Sequence, residues 1–358
     1  MTTVKERALA VGNRLGVKVI PKLPDGAKRL LSGGRAVTID GNTLDPSLQV
    51  LLAAQRATGA NGLVIADDAQ LSRANFAVLG QTLDERDVRV AEVGQVSIPG
   101  PAGTIRARYY RPVAGGTAVP LLVFFHGGGW CIGDLDAYDP VVRTLAEVTG
   151  LAFLSVQYRL APEHPFPAAV QDATTATYWA FAHATDLGFS GVGVAGDSAG
   201  GNLAAAVAGR LRGADIPLAL QLLLYPSVDL RSLAPPIPDP DGLRLVDDEG
   251  SAQVRRWYLA GADPAQPDVS PLLGEVAGVA PTVLAVAEYD RYRPEAQAYA
   301  ARLRAAGVPV WEVLAQGLDH AFVGWVSFAD RPREATEEIG AVTRAALGLT
   351  PRRVTHAA

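Results

Sequence analysis

Five residues near the middle of the chain, Gly196-Asp-Ser-Ala-Gly200, hold a serine hydroxyl between two glycines. The apolar run 192–195 precedes them as a buried strand would, and the small-residue run 201–208 follows them as a packed helix would. So sharp a turn between a strand and a helix leaves room only for glycine beside the serine, and it holds the hydroxyl out at the sheet edge. The pattern predicts that Ser198 is a nucleophile, although the pentapeptide alone would also fit an ordinary turn.

A serine nucleophile needs donors for an oxyanion, a base, and an acid that orients the base. Three glycines, Gly127 to Gly129, follow His126 directly after the apolar run 121–125. Consecutive glycines let backbone N–H groups approach a ligand closely, as an oxyanion hole requires. A flexible loop or a phosphate cradle is the alternative. The cradle fits poorly, because no Gly-Lys-Ser/Thr sequence follows and no ribose-binding acid is suitably placed.

One of the five histidines is placed as a base. His320 lies on a loop after the strand-like run 308–314, late in the chain, where this type of fold carries its base. The other four lie in the glycine loop, a proline-rich turn, an alanine-rich helical stretch and the C-terminal tail: His126, His164, His183 and His356. We therefore predict that His320 is the base.

The acid is expected between nucleophile and base, because the chain order of this fold is Ser, Asp or Glu, then His. The strand-like run 282–287 ends in Glu288-Tyr-Asp290. Asp290 is the best candidate and Glu288 its competitor, since residues two apart on a continuing strand face the same side. Asp319 is a weaker rival because adjacent side chains rarely reach each other's ring nitrogen, and it is otherwise a loop-capping acid.

In type and order these motifs resemble the bacterial hormone-sensitive lipase family of α/β-hydrolases. The resemblance covers roughly residues 85–345 and rests on five segments: His126-Gly-Gly-Gly-Trp130, Tyr158-Arg-Leu-Ala-Pro-Glu163, Gly196-Asp-Ser-Ala-Gly-Gly-Asn202, Glu288-Tyr-Asp290 and Gly317-x-x-His320-x-Phe322. It implies a serine carboxylesterase, and the modest cap and the lack of a secretion signal favour short- to medium-chain esters over the substrates of a true lipase. Its implied triad is Ser198, Asp290 and His320, and its implied oxyanion donors are the N–H groups of Gly128, Gly129 and Ala199.

The chain departs from the family pattern after the acid. The family usually reads Pro-Leu-Arg-Asp-Glu there, and this chain reads Arg291-Tyr-Arg-Pro-Glu295. Pro294 replaces a second carboxylate that often supports the loop. Two added arginines also bring positive charge that would act on the pKa of the His320–Asp290 pair. A milder change is Ala321, where the family commonly has glycine.

Apolar runs of strand length alternate with helical stretches from residue 88 onward, which predicts a sheet covered on both faces. The runs 88–98 and 104–110 indicate an antiparallel pair. The remaining strands are predicted near 121–125, 151–156, 191–195, 218–224, 282–287 and 308–314. The predicted fold is α/β, an α/β-hydrolase fold with a mixed, mostly parallel eight-stranded sheet and a helical cap. Every candidate site residue follows a strand at its carboxyl end.

Two segments stand outside this alternation. Residues 1–85 show helical patterns at 46–58 and 67–79 and no strand rhythm, and residues about 229–262 begin loop-like and end in a helical stretch, 251–259. The resemblance implies that they pack together as a cap. We therefore expect an N-terminal cap segment (1–85), a catalytic domain (86–345) with a cap insertion, and a C-terminal tail (346–358).

Composition excludes several function classes. The 358 residues have 49% hydrophobic content and a mean hydropathy of +0.14, but no apolar run approaches the ~18–20 residues that cross a bilayer. The net charge of −5 and pI of about 5.6 argue against nucleic acid as a partner. The one cysteine, Cys131, excludes an intrachain disulfide and is best interpreted as a small buried side chain. No metal or cofactor pattern is present, and a cytoplasmic location is expected.

The first thirty residues are basic, and Val4, Ala8, Val11 and Leu15 share one helical face. Such a helix can contact anionic lipid surfaces, but a solvated face on a cap helix is the commoner arrangement. The family often pairs through a strand or helix at the end of its sheet, which implies a homodimer. A small-molecule receptor or a dehydratase on the same fold is the alternative function, and the presence of both a base and an acid disfavours the receptor.

Overall fold

The computed structural model describes residues 19–57, 64–65, 67–83, 88–113, 119–214, 216–231 and 245–351. The strands, in chain order, are β1 (Thr38–Ile39), β2 (Asn42–Thr43), β3 (Val90–Gly100), β4 (Gly103–Pro112), β5 (Leu121–Phe125), β6 (Ala152–Gln157), β7 (Val192–Asp197), β8 (Leu218–Leu224), β9 (Thr282–Ala287) and β10 (Val310–Ala315). The helices are α1 (Asp25–Leu31), α2 (Pro46–Ala57), α3 (Ala69–Leu83), α4 (Asp139–Thr149), α5 (Ala168–His183), α6 (Ala199–Arg210), α7 (Asp248–Leu259), α8 (Arg293–Ala305) and α9 (Asp330–Ala346).

Eight of these strands form one sheet, in the order β10-β9-β8-β7-β5-β6-β4-β3. Strand β4 runs antiparallel to both of its neighbours, and the other pairs are parallel. The predicted mixed, mostly parallel eight-stranded sheet is therefore confirmed. Each predicted strand overlaps the observed one, because apolar residues dominate every central strand.

Both faces of the sheet are covered, as β5 illustrates. Leu121, Val123 and Phe125 belong to one core cluster, and Leu122 and Phe124 belong to the other. Helices α5, α6 and α8 contribute to the first cluster, and α4 and α9 contribute to the second. Because neither face meets solvent, these strands show continuous burial instead of the alternation typical of a half-exposed strand.

The strand order reverses beside β5, and this reversal places the site. Strand β6 lies on one side of β5, whereas β7 lies on the other. Loops that leave neighbouring parallel strands in opposite directions open a crevice at the carboxyl edge of the sheet. The glycine loop follows β5 and the Ser198 turn follows β7, so both loops meet at this crevice.

The predicted absence of strands in the N-terminal segment is wrong. Strands β1 and β2 pair antiparallel through a turn at Asp40 and Gly41, which have φ of 50° and 85°. Two-residue strands are too short to show a period. An Asp-Gly pair is nonetheless a turn signal for a hairpin, and it could have been used. The helical predictions at 46–58, 67–79 and 251–259 correspond to α2, α3 and α7.

This hairpin is bonded to the loops that follow β9 and β10. The Asn42 amide donates to Glu288 Oε1 at 2.6 Å, and the Ile39 N–H donates to the Tyr289 hydroxyl at 3.0 Å. Just beyond the hairpin, the Asp45 N–H donates to the Gly317 carbonyl at 2.8 Å. The basic N-terminal face at residues 4–15 and the proline-rich stretch 232–244 lie outside the described residues.

Candidate active site

The turn between β7 and α6 is as tight as the sequence predicts. Ser198 has φ 53° and ψ −117°, a backbone conformation that L side chains rarely adopt. A Cβ at Gly196 would lie 2.2 Å from the Gly200 carbonyl oxygen, and a Cβ at Gly200 would lie 1.9 Å from the Phe125 carbonyl oxygen. Both positions therefore require glycine, and the half-buried serine stands at the carboxyl edge of the sheet.

Three predicted site residues from distant parts of the chain come together at this edge. Ser198 Oγ lies 2.8 Å from His320 Nε2, and His320 Nδ1 lies 2.6 Å from Asp290 Oδ2. Both His320 and Asp290 are buried, at 5% and 1% exposure. A base hydrogen-bonded to the hydroxyl, and itself oriented by a carboxylate, is the arrangement that activates a serine for attack.

The other two candidate acids lie elsewhere. Glu288 accepts hydrogen bonds from the Asn42 amide and, at 2.8 Å, from the Gly317 N–H, so it holds the base loop and the hairpin. Asp319 accepts from the N–H groups of His320 and Leu245 at 2.7 and 2.8 Å, as a loop-capping acid does. Periodicity failed to separate Glu288 from Asp290 because the strand ends at Ala287, after which the two side chains diverge.

The environment of His320 favours its protonated form. Burial alone would lower its pKa, but the charge and hydrogen bond of Asp290, together with the charges of Asp319 and Asp197, raise the pKa overall. The Tyr225 ring packs edge-on against the imidazole, with centroids 4.8 Å apart, and the Tyr292 ring does the same at 5.3 Å. The imidazole is thus held both by packing and by its acid.

The glycine loop after β5 presents backbone donors. Gly128 and Gly129 have φ of 105° and 60°, and a Cβ at Gly128 would lie 2.2 Å from the Ile132 carbonyl oxygen. Among the described residues, the N–H groups of Gly128, Gly129 and Ala199 have no hydrogen-bond acceptor. Ala199 is also the first residue of α6, whose N-terminus favours negative charge. These three donors can together hold a developing oxyanion.

Asp197 positions this loop, a role that the sequence interpretation missed. Its Oδ1 accepts the Gly127 N–H at 2.7 Å, and its Oδ2 accepts the Tyr138 hydroxyl at 3.2 Å. Burial raises the pKa of Asp197 to about 7, against the effect of these donors. The available signal was its place in the motif, directly before Ser198, which lets one turn hold both the nucleophile and the glycine loop.

His126 and Cys131 flank the glycine loop and are both packed. The His126 ring stacks on Tyr158 with centroids 4.4 Å apart, and burial lowers its pKa to about 4. Burial raises the pKa of the Cys131 thiol well above its usual range. A fully buried histidine with a lowered pKa is a weak base, and an un-ionised thiol is a poor nucleophile, so both side chains support the loop by packing.

The guanidinium groups of the two arginines after the acid pair with other carboxylates, and only the Arg293 backbone N–H contacts Asp290, at its carbonyl oxygen, at 3.1 Å. Arg291 pairs with Asp248 at 2.6 Å, and Arg293 pairs with Asp40 at 2.9 Å. The predicted effect of these charges on the pKa of the His320–Asp290 pair therefore does not come from a direct contact between side chains. The carboxylate supporting this region, also missed from the sequence, is Glu295, whose Oε1 accepts the Val228 N–H at 2.7 Å.

Comparison with known proteins gives the same family. The α/β-hydrolase fold family matches residues 122–324. The chain is 44% identical to the carboxylic ester hydrolase LipN of Mycobacterium tuberculosis, over 93% of this chain and 91% of that protein. It is 33% identical to the ethyl acetate hydrolase of Pseudomonas putida, over 82% and 96%. A Pyrobaculum calidifontis esterase structure superposes with a TM-score of 0.75 at 33% identity, covering 84% and 98% of the two chains. The chain belongs to the hormone-sensitive lipase family of α/β-hydrolases.

Proposed function

We propose that this serine carboxylesterase hydrolyses small, short- to medium-chain esters through an acyl-enzyme on Ser198. One observation carries the proposal: Ser198 Oγ, His320 and Asp290 form a continuous hydrogen-bonded chain, with contacts of 2.8 and 2.6 Å. The free N–H groups of Gly128, Gly129 and Ala199 lie on the two loops that meet at the same crevice. A nucleophile, an oriented base and oxyanion donors together suffice for acyl transfer.

The steps follow from the positions of these atoms. Nε2 of His320 takes the Ser198 proton as Oγ attacks the ester carbonyl, and the three N–H groups hold the resulting oxyanion. The imidazolium then gives its proton to the leaving alcohol, which departs and leaves the acyl-enzyme. Water attacks the acyl-enzyme in the same way, so that a carboxylic acid is released and the serine regains its proton. Asp290 keeps Nδ1 protonated and Nε2 available throughout.

The substrate class is supported by relatives and by packing. One relative is named an ethyl acetate hydrolase, and ethyl acetate has both a small acyl group and a small alcohol group. The aromatic rings of Trp130, Tyr225, Tyr258 and Phe322 are almost wholly buried against one another or against the site. Rings packed this closely around the oxyanion loop and His320 support a compact ester over a long acyl chain. The non-hydrolytic receptor or dehydratase has no observation in its favour.

We include the protein's partners and its location in the cell in the same proposal. None of the helices in the described ranges is both long and apolar enough to cross a membrane. We place the protein in the cytoplasm, acting on a small dissolved ester and pairing with a second copy. Contact of the basic N-terminal helix with anionic lipid stays a prediction, because residues 4–15 lie outside the described part of the chain.

Replacing the nucleophile tests this function. In Ser198→Ala the hydroxyl that would carry the acyl group is absent, so hydrolysis of p-nitrophenyl butyrate should fall by about 10⁴-fold or more. The measurement is initial-rate kinetics, with mass spectrometry after fluorophosphonate treatment to locate the label on Ser198. Ser97→Ala, at an exposed position on the edge strand β3, serves as a control and should keep near-wild-type activity. An active Ser198→Ala enzyme contradicts the proposal.

A further inference from the structure

One face of helix α7 touches both halves of the candidate site. Asp248, Ser251 and Val254 are spaced by three residues, which places them on one side of the helix. The Ser251 hydroxyl lies 3.3 Å from the Tyr292 hydroxyl, two residues beyond the acid. Val254 packs so closely on Gly129 that a Cβ added to this glycine would lie 2.8 Å from the valine Cβ. The helix therefore spans from the acid loop to the oxyanion loop.

The C-terminal end of this face packs against the oxyanion loop. The Tyr258 ring stacks on Trp130 with centroids 4.4 Å apart and planes 9° from parallel. The Cys131 thiol lies 3.8 Å from the Val254 carbonyl oxygen. Stacked aromatic rings and a buried valine give this end extensive apolar contact. The N-terminal end of this face, at Asp248, is held by a different kind of interaction.

An ion pair holds the N-terminal end of the face. Arg291 Nη1 lies 2.6 Å from Asp248 Oδ1, and the arginine side chain is only 1% exposed. Its Nε and Nη2 have no hydrogen-bond partner among the described residues, so Asp248 is the carboxylate that compensates this buried charge. The guanidinium is buried while the carboxylate is 71% exposed, so losing Asp248 would leave the buried arginine charge without its partner.

We propose that the Asp248–Arg291 ion pair is a positioning pair that fixes helix α7 against the acid loop and thereby sets where Val254 stands over Gly129. Neither residue touches the reacting atoms. This inference rests on the proposed function, because it takes the Gly129 N–H as an oxyanion donor. The substituents of an ester held there lie beside Val254, so the ion pair controls which acyl groups fit. Arg291 is one of the positions at which the sequence departs from the usual family pattern.

The test compares neighbouring carboxylates in the first turn of α7. Asp248→Asn removes the charge that faces Arg291 and keeps the side-chain shape. Glu249→Gln removes an equal charge from the same exposed helix start, without a contact to Arg291. Asp248→Glu keeps the charge. Because Asp248 is 71% exposed, the variants are expected to fold, and circular dichroism with thermal melting checks this.

The readout is kcat/KM for p-nitrophenyl acetate and butyrate. We expect Asp248→Asn to lower the butyrate value about tenfold and the butyrate-to-acetate ratio about threefold, since the larger acyl group needs the correctly placed wall. Glu249→Gln should stay within about twofold of wild type, and Asp248→Glu should recover most of the loss. A purely stabilising contact would lower the melting temperature and leave the ratio unchanged.

Failure of this inference is distinguishable from failure of the proposed function. If Asp248→Asn matches Glu249→Gln in both kcat/KM and the acyl ratio, the positioning role is overturned while the esterase stands. If Ser198→Ala remains active in parallel assays, the proposed nucleophile fails whatever the ratio does.

Discussion

At the scale of single residues, the site was predictable where chemistry leaves few choices. The candidate nucleophile is marked by its glycines, and His320 was predicted as the base by eliminating four other histidines. The acid was harder, because Glu288 and Asp290 are both carboxylates at the same strand end. Their separation depends on how the backbone turns after Ala287, where Glu288 joins the hairpin and Asp290 joins the imidazole. No local pattern contains that information.

Exchanging each carboxylate for its amide distinguishes their roles. Asp290→Asn should lower kcat by about 10³–10⁴, because the amide no longer holds His320 in the tautomer that accepts the serine proton. Glu288→Gln should keep kcat within about tenfold of wild type and lower the melting temperature, since it weakens the contacts to Asn42 and Gly317. Assays with p-nitrophenyl butyrate and thermal melts check both. Full activity in Asp290→Asn would move the acid role elsewhere.

At the scale of elements, the parallel strands were predicted well because each is a buried apolar run. The hairpin β1–β2 was missed, as were the contacts of α7, because neither is encoded in a local period. Loop details also escaped: Pro294 was noted as a lost carboxylate, yet Glu295 beside it supplies one from the start of α8. Elements were therefore easier to predict than the loops that join them, and the site lies in the loops.

The loop after His320 contains an alanine in a strained backbone conformation. Ala321 has φ 61° and ψ 23°, in the left-handed region where an alanine is strained by ~1–2 kcal/mol. Ala321→Gly removes the strain but adds freedom to the unfolded chain, so we expect a net gain in unfolding free energy of about 0.5–1 kcal/mol. Urea denaturation measures it, and kcat/KM should stay near wild type.

Two alanines serve as controls for this substitution. Ala260 also has positive φ, at 46°, so Ala260→Gly should give a similar gain. Ala306 has φ −87°, and Ala306→Gly should give none. A loss of stability in Ala321→Gly alone would mean that the alanine methyl packs more favourably than its strain costs.

At the scale of the whole molecule, buried carboxyl groups link stability to pH. Burial raises the pKa of Glu295 to about 8, and it raises the pKa of Asp197 and Asp319 to about 7. Each group binds its proton more tightly folded than unfolded. Its stabilising contribution is therefore full below its unfolded pKa, near pH 4, and is lost as the pH rises through its folded pKa. The wild-type protein should become less stable between pH 5 and pH 8.

Glu295→Gln isolates one of these contributions. The amide stays neutral at every pH, so the unfolding free energy of the variant minus that of wild type should rise by ~3–4 kcal/mol from pH 5 to pH 8. Denaturant titrations at several pH values measure this difference. Glu334→Gln, at an exposed position on α9, should show no such trend. A pH-independent difference for Glu295→Gln would mean that this carboxyl is ionised throughout the range.

The hairpin near the N-terminus bears on how such proteins can be recombined. Its Asn42 and Ile39 are bonded to Glu288 and Tyr289, roughly 250 residues away along the chain. A chimera that exchanges the N-terminal segment with that of a relative would sever these bonds unless the recipient's acid loop came with it. The N-terminal segment and the loops after β9 and β10 should therefore be exchanged together in such a chimera. A crossover near residue 85 would separate them.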